Sequence, residues 1–182
     1  MKVITNMSGH NKWSQIKHRK GAVDALKSKT FTKIVRLLNM EAKKADGNVN
    51  SPGLKAAIEK ARAENMPREN IERAIKKASI DDNSKLETIT YEAYGPGGCA
   101  IIIESLTDNR NKASAEIKHI LSVHELTLAG IGAAAWAFEK NGTSWIPKTK
   151  IPLSPEDSAK LQEIVEELDQ NDEVQEVFTN AE

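Results

Sequence analysis

The chain has 182 residues, 39% hydrophobic and 29% charged, and its 26 Lys and Arg balance its 26 Asp and Glu. This length suits one large or two small domains, and the hydrophobic content with its periodic runs indicates a folded protein rather than a disordered one. Cys99 is the only cysteine, which excludes an internal disulfide and a CxxC metal site.

The sequence gives no sign of membrane insertion or secretion. No apolar stretch approaches the ~20 residues that span a bilayer. The start, MKVITNMSGHNKW, lacks the apolar core and cleavage site of a signal peptide, and Met7 is an alternative start. We therefore expect a cytoplasmic protein with no membrane partner.

The balanced net charge conceals a separation of charge along the chain. Residues 8–80 hold 17 basic and 7 acidic residues, whereas residues 81–182 hold 8 and 19. Residues 8–36 are the most basic part, with eight basic residues and the single acid Asp24. Such a surface predicts a polyanion-binding module joined to an acidic half. The alternative is that these lysines only keep the helices soluble.

Helical periodicity predicts three helices in the basic half, over residues 8–79. The first covers residues 22–45, the second begins at Ser51 as N-cap, and the third opens at Pro67. Each carries a single apolar stripe, so the three bury their stripes against one another. The short turn between the last two allows a DNA-binding helix-turn-helix, although an ordinary helical hairpin is the favoured interpretation.

A polar linker over residues 80–86 is predicted to lead into an acidic domain over residues 87–182. The predicted elements begin with strand 87–94, a glycine turn at 95–98, strand 100–103 and helix 109–123 with Asp108 as its N-cap. Strand 133–140 and return strand 145–153 follow, joined by a type I′ turn at Asn141-Gly142. A helix from Ser154 and strand 174–179 complete the domain. In the strand over residues 133–140, Trp136 and Phe138 are expected on one face. From Ala100 onward the order is β-α-β-β-α-β, which is ferredoxin-like. The predicted fold class is therefore α+β, a basic three-helix domain followed by a ferredoxin-like βαββαβ domain.

No pattern in the chain indicates catalysis. The four histidines lack Cys or carboxylate partners at metal-ligand spacing, and the glycine turn lacks the spacing of a nucleotide-binding loop. The strand GAAAWAFEK lacks the stacking aromatics of an RNA recognition motif. We expect a protein that is not an enzyme and that has no metal or cofactor.

The segment GHNKWSQIKHRKG at residues 9–21 places Trp13 among basic side chains. The indole is expected to anchor this arm on the helices, and the alternative is that it stacks on an unpaired base. Basic side chains held in this way contact phosphates and give affinity with little sequence preference. The predicted nucleic-acid-binding residues are Lys12, Trp13, Lys17, His18, Arg19, Lys20, Lys27, Lys29, Lys33, Arg36 and Lys43.

Several ordered blocks resemble the YebC/PmpR family: GHNKWSQIKHRKG, FTKIVRLL, LKAAIEKARAENMPRENIERAIKKA, YEAYGPGG, LTDNRNKASAEIKHI and AAWAFEKNG. The family contains bacterial proteins called probable transcriptional regulators and the mitochondrial translational activator of cytochrome c oxidase. The resemblance implies a cytoplasmic, non-enzymatic protein associated with nucleic acid. It is described either as a DNA-binding transcriptional regulator or as a ribosome-associated factor that relieves stalling.

The chain departs from the family where Asn141-Gly142-Thr143 joins two strands directly. Family members usually insert a third small α/β domain there, so functions of that domain are not expected here. The expected partner is nucleic acid, either DNA or ribosomal RNA, with the ribosome as a further candidate, and the chain is expected to be a monomer. The alternative from another class is a protein-interaction module whose acidic half recognises a basic partner.

Overall fold

The computed structural model describes residues 23–78, 86–141 and 144–182, with side chains from residue 28 onward. The basic half contains helices α1 (Val23–Lys44), α2 (Pro52–Ala63) and α3 (Arg68–Ala78). Ser51 caps α2, because its hydroxyl oxygen accepts a hydrogen bond from the Leu54 N–H, and Pro52 occupies the first turn. The three predicted helices are therefore confirmed.

The apolar stripes of these helices form one core. Ile34, Leu38 and Leu54 are at most 1% exposed, and Ala57, Ala61, Ile71 and Ala74 complete the contact. Leu106 from the acidic half also lies in this core, and Leu86 packs against it. The predicted linker falls largely on residues 79–85, outside the described residues. The division into domains at residues 8–79 and 87–182 stays a prediction.

The acidic half is built on a three-stranded antiparallel sheet in the order β1-β2-β5. Its strands are β1 (Glu87–Tyr94), β2 (Ala100–Thr107) and β5 (Val174–Thr179). Helices α4 (Arg110–Val123) and α5 (Pro155–Gln170) cover one face. The other face packs against the hairpin of β3 (Phe138–Asn141) and β4 (Ser144–Pro147).

The fold class is confirmed, and the order β-α-β-β-α-β from Ala100 is present. The strand pairing nevertheless differs from a complete ferredoxin-like sheet, because β3 and β4 pair only with each other among the described strands. The tight turn at residues 95–98 folds β1 back along β2. The two strands form eight residue pairs, from Glu87↔Thr107 to Tyr94↔Ala100, so β1 occupies this edge of β2. None of the described helices combines the length and apolar character needed to cross a bilayer.

The structure corrects several predicted boundaries. Residues 135–137 form a 3-10 turn rather than a strand, so Trp136 is 59% exposed while Phe138 is 3% exposed. Asn109, not Asp108, caps α4, because its side chain accepts from the Lys112 N–H at 3.1 Å. The return strand ends at Pro147, which has no N–H to donate.

The register of the hairpin also moves the predicted turn by one residue. Asn141 pairs with Ser144, so the residues between the strands are 142–143 rather than the predicted Asn141-Gly142. Both residues lie outside the described part of the chain, so the type I′ turn stays a prediction. The predicted antiparallel pairing of the flanking strands is confirmed.

Candidate nucleic-acid interface

Three of the predicted nucleic-acid-binding residues, Lys29, Lys33 and Arg36, form a basic stripe on α1 that contacts the carboxyl end of α5 and the residues after it. Lys29 Nζ donates to the Gln170 carbonyl at 2.7 Å, and Lys33 Nζ donates to the Asp169 carbonyl at 2.6 Å. The last four carbonyls of a helix lack partners within the helix and carry partial negative charge. The two lysines therefore supply α5 with the positive charge that a helix end favours.

Arg36 continues this contact beyond the end of α5. Its guanidinium donates to the carbonyl of Asp172 and, at 2.9 Å, to that of Leu106. It also lies 4.0 Å from a carboxylate oxygen of Glu173. Lys33 and Arg36 are both partly buried, whereas Lys29 is exposed. The stripe thus joins the two halves of the chain.

Glu173 is a buried anion at the centre of this contact, 4% exposed. Lys112 of α4 donates to it at 2.7 Å. Burial, the largest single influence, raises its pKa, but hydrogen bonds from Lys112 and Thr107 and the nearby charges of Lys112 and Arg36 together lower the pKa below its ordinary value. Glu173 therefore stays ionised at neutral pH and keeps a negative charge facing Arg36.

A fourth cation ties the helical half to β5, since Lys60 of α2 forms an ion pair with Glu176. We call this set of contacts the clamp. It consists of Lys29, Lys33, Arg36 and Lys60 on one side and residues 169–176 on the other. At about 100° per residue, Lys29, Lys33 and Arg36 lie opposite the apolar face of α1, but this periodicity contains no information on what they contact.

The remaining predicted site residues are only partly covered by the structure. Lys43 lies partly buried in the last turn of α1. The side chain of Lys27 is outside the described part. The arm residues also fall there, namely Lys12, Trp13, Lys17, His18, Arg19 and Lys20. Whether Trp13 anchors the arm stays a prediction.

The sequence interpretation missed the positive charge that is exposed on the other two helices. Five cations there are exposed and form no ion pair with another described residue: Lys55, Arg62, Arg73, Lys76 and Lys77. Arg68 is exposed as well, but it pairs with Glu72 at 2.6 Å. The signal was present in the sequence, because in α3 Arg73, Lys76 and Lys77 lie opposite the buried Ile71 and Ala74 at about 100° per residue.

Backbone N–H groups of the loop at residues 129–135 converge as they do in an anion-binding site. The anion that they bind is a side chain of the protein itself. The Glu92 carboxylate, 6% exposed, accepts from the N–H groups of Gly132 at 2.6 Å, Ala134 at 2.7 Å and Ala135 at 2.8 Å. Gly132 adopts a φ of 83°, which brings its N–H into this arrangement. The loop therefore does not offer these N–H groups to a phosphate.

His124 and Cys99 are two further titratable side chains in the described part of the chain. His124 lies 3.1 Å from Glu167, and Cys99 is completely buried. Within residues 23–78, 86–141 and 144–182, no three His, Cys, Asp or Glu side chains are grouped so as to hold a metal ion.

Comparison with known proteins identifies the family. Residues 11–91 match the family model described as TACO1/YebC protein N-terminal domain. Residues 86–144 and 140–181 match the model of the TACO1/YebC second and third domain. The chain belongs to the TACO1/YebC family. The two segments of the second match meet at residues 140–144, the tip of the β3–β4 hairpin, where the resemblance predicts the missing domain.

Curated relatives in this family share the name "Probable transcriptional regulatory protein". The relative from Desulfosudis oleivorans is 43% identical over 178 residues, covering 97% of this chain and 72% of that protein. The relative from Fervidobacterium nodosum is 49% identical over 147 residues, covering 80% and 58%. Over these matches the chain spans between about half and three quarters of the relatives' length.

A solved structure supports the fold. The conserved hypothetical protein Aq1575 from Aquifex aeolicus superposes with a TM-score of 0.79 and 27% identity, over 94% of this chain and 97% of that one. The likeness extends over both the helical half and the sheet-containing half.

Proposed function

We propose that this chain is a nucleic-acid-binding regulator of gene expression that binds phosphates through its basic helical half. The observation that supports this most is the exposed positive charge on α2 and α3 that pairs with no described acid, within a half that holds 17 basic and 7 acidic residues. The relatives' name, probable transcriptional regulatory protein, agrees with DNA as the target. The proposed role is not catalytic.

The proposed binding is largely independent of base sequence. The exposed groups are lysines and arginines on helix surfaces, and such contacts position a phosphate backbone without reading bases. Ribosomal RNA offers the same phosphates, so a ribosome-associated role in translation is the second candidate and is supported by the family's translational activator. Crosslinking in cells followed by sequencing of the bound nucleic acid distinguishes the two targets.

The test measures the salt dependence of binding by the full chain. Fluorescence anisotropy with labelled DNA of about 20 base pairs and RNA of about 20 nucleotides, each in two unrelated sequences, gives the dissociation constant between about 50 and 200 mM salt. The Arg73→Gln/Lys76→Gln/Lys77→Gln variant should reduce the slope of log K against log salt by about 0.7–0.9 for each phosphate that it no longer neutralises. Affinity should fall by a similar factor for every sequence.

A matched control separates local contacts from net charge. Lys118→Gln/Lys148→Gln/Lys160→Gln removes the same charge from exposed positions of the acidic half. Equal weakening by the two triple variants would contradict a role for the α3 face. If the parent chain binds neither nucleic acid, yet retains a basic protein partner at high salt, the protein-interaction alternative replaces the proposal.

A further inference from the structure

In the clamp, cations from another part of the chain donate hydrogen bonds to the last carbonyls of α5. α5 has no basic residue in its own last turn, although a helix end favours positive charge there. Lys29 and Lys33 provide it at 2.7 and 2.6 Å. Short hydrogen bonds are typical of charged donors, so one donor of each lysine is occupied by a close, specific acceptor.

The closed clamp competes with a phosphate for these cations, because it occupies some of their donors and partly buries Lys33 and Arg36. A phosphate oxygen would have to approach Lys33 Nζ or the Arg36 guanidinium to about 2.7–2.9 Å, and the carbonyl oxygens of Asp169 and Asp172 already occupy one donor position on each. Arg36 has a second acceptor in the Leu106 carbonyl and the buried Glu173 beside it. A phosphate backbone can therefore use all the donors of Lys33 and Arg36 only when residues 169–176 move away.

We infer that the acidic half is a built-in competitor of nucleic acid, because residues 169–176 occupy the Lys29, Lys33 and Arg36 stripe in the closed state. This inference depends on the proposed nucleic-acid function and adds a regulation to it. The closed chain binds through the exposed cations of α2 and α3, and the open chain adds the α1 stripe. Because coupling is reciprocal, bound nucleic acid also loosens the clamp.

The test weakens the clamp from the acidic side, so that no cation is removed. Glu173→Gln/Glu176→Gln removes the two carboxylates that face Arg36 and Lys60. The control Glu139→Gln/Glu163→Gln makes the same change of charge at two exposed glutamates outside the clamp. If opening limits binding, the clamp variant should bind the labelled DNA about three- to tenfold more tightly than the control, since apparent affinity scales with the competent fraction.

A second measurement uses the parent chain and does not depend on the folding of a variant. Amide hydrogen exchange of the full chain is compared with and without the same DNA. Competition predicts faster exchange at the end of α5, including the Asn171 N–H that bonds to Leu168 O. Unchanged or slower exchange there, or equal affinities of the clamp and control variants, would overturn the inference. Failure of the parent to bind DNA or RNA would instead refute the proposed function.

Discussion

Replacing Glu92 with Gln should destabilise the acidic half strongly, because one buried carboxylate organises the loop at residues 129–135. Oε1 accepts from Gly132, and Oε2 accepts from both Ala134 and Ala135. A glutamine amide can keep its oxygen toward the two alanines, but its NH2 group then faces the Gly132 N–H. The variant therefore loses the charge-assisted hydrogen bond from Gly132 and weakens those from Ala134 and Ala135. It also places two donors, the glutamine NH2 and the Gly132 N–H, against each other in a buried site.

The expected cost follows from those bonds. Hydrogen bonds to charged groups are worth about 1.5–3 kcal/mol, and a buried unsatisfied donor costs about 1–3 kcal/mol. We expect Glu92→Gln to lower the free energy of unfolding by about 2–4 kcal/mol. Urea denaturation followed by circular dichroism measures this, with Glu139→Gln as an exposed control expected to change it by less than about 0.5 kcal/mol. A cost below about 1 kcal/mol for Glu92→Gln would refute this account of the loop.

The pH dependence provides an independent check. Burial, the largest influence, raises the pKa of Glu92, but the three backbone hydrogen bonds outweigh it and lower the pKa below the ordinary value. A carboxyl with a lower pKa in the folded state stabilises that state fully above its unfolded pKa. The stability advantage of the parent over Glu92→Gln should therefore be complete at about pH 7 and shrink below about pH 4.

Two further predictions concern the core. Leu106 is 2% exposed and belongs to the core of the helical half, so Leu106→Ala should cost about 2–5 kcal/mol in urea denaturation. A cost below about 1 kcal/mol would show that the helices close their core without it. Burial raises the pKa of the Cys99 thiol, which is 0% exposed. A thiol reagent at about pH 7 should label it only in denatured protein, and rapid labelling of the native chain would contradict its burial.

The parts of the fold that sequence predicted well are those with strong local periodicity. The predicted helix at residues 22–45 is observed as Val23–Lys44, and the last strand, Val174–Thr179, is observed with the predicted bounds. In both, the apolar pattern and the flanking residues indicate the same element, so local and tertiary preferences agree.

The prediction failed where backbone N–H groups donate to a side chain that is distant in the sequence. The segment GAAAWAFEK has small and aromatic residues that suit a strand, yet only Phe138 onward is paired. The N–H groups of Ala134 and Ala135 donate to Glu92, which lies more than forty residues earlier. Alternation of side chains contains no information about such a partner, so the strand was predicted too long.

The contacts of the candidate site could not be predicted for a similar reason, although the separation of charge along the sequence was a relevant signal. Charge counting assigned the positive excess to the helical half, but it considered the acidic half only as a surface for another basic protein and not as a partner of the helical half itself. Two oppositely charged halves joined by a short linker have an effective concentration of about millimolar for each other. The acidic half is therefore the first polyanion that the α1 stripe meets. The helix α5 has no basic residue in its last turn, so its carboxyl end is one place where such a contact is favourable.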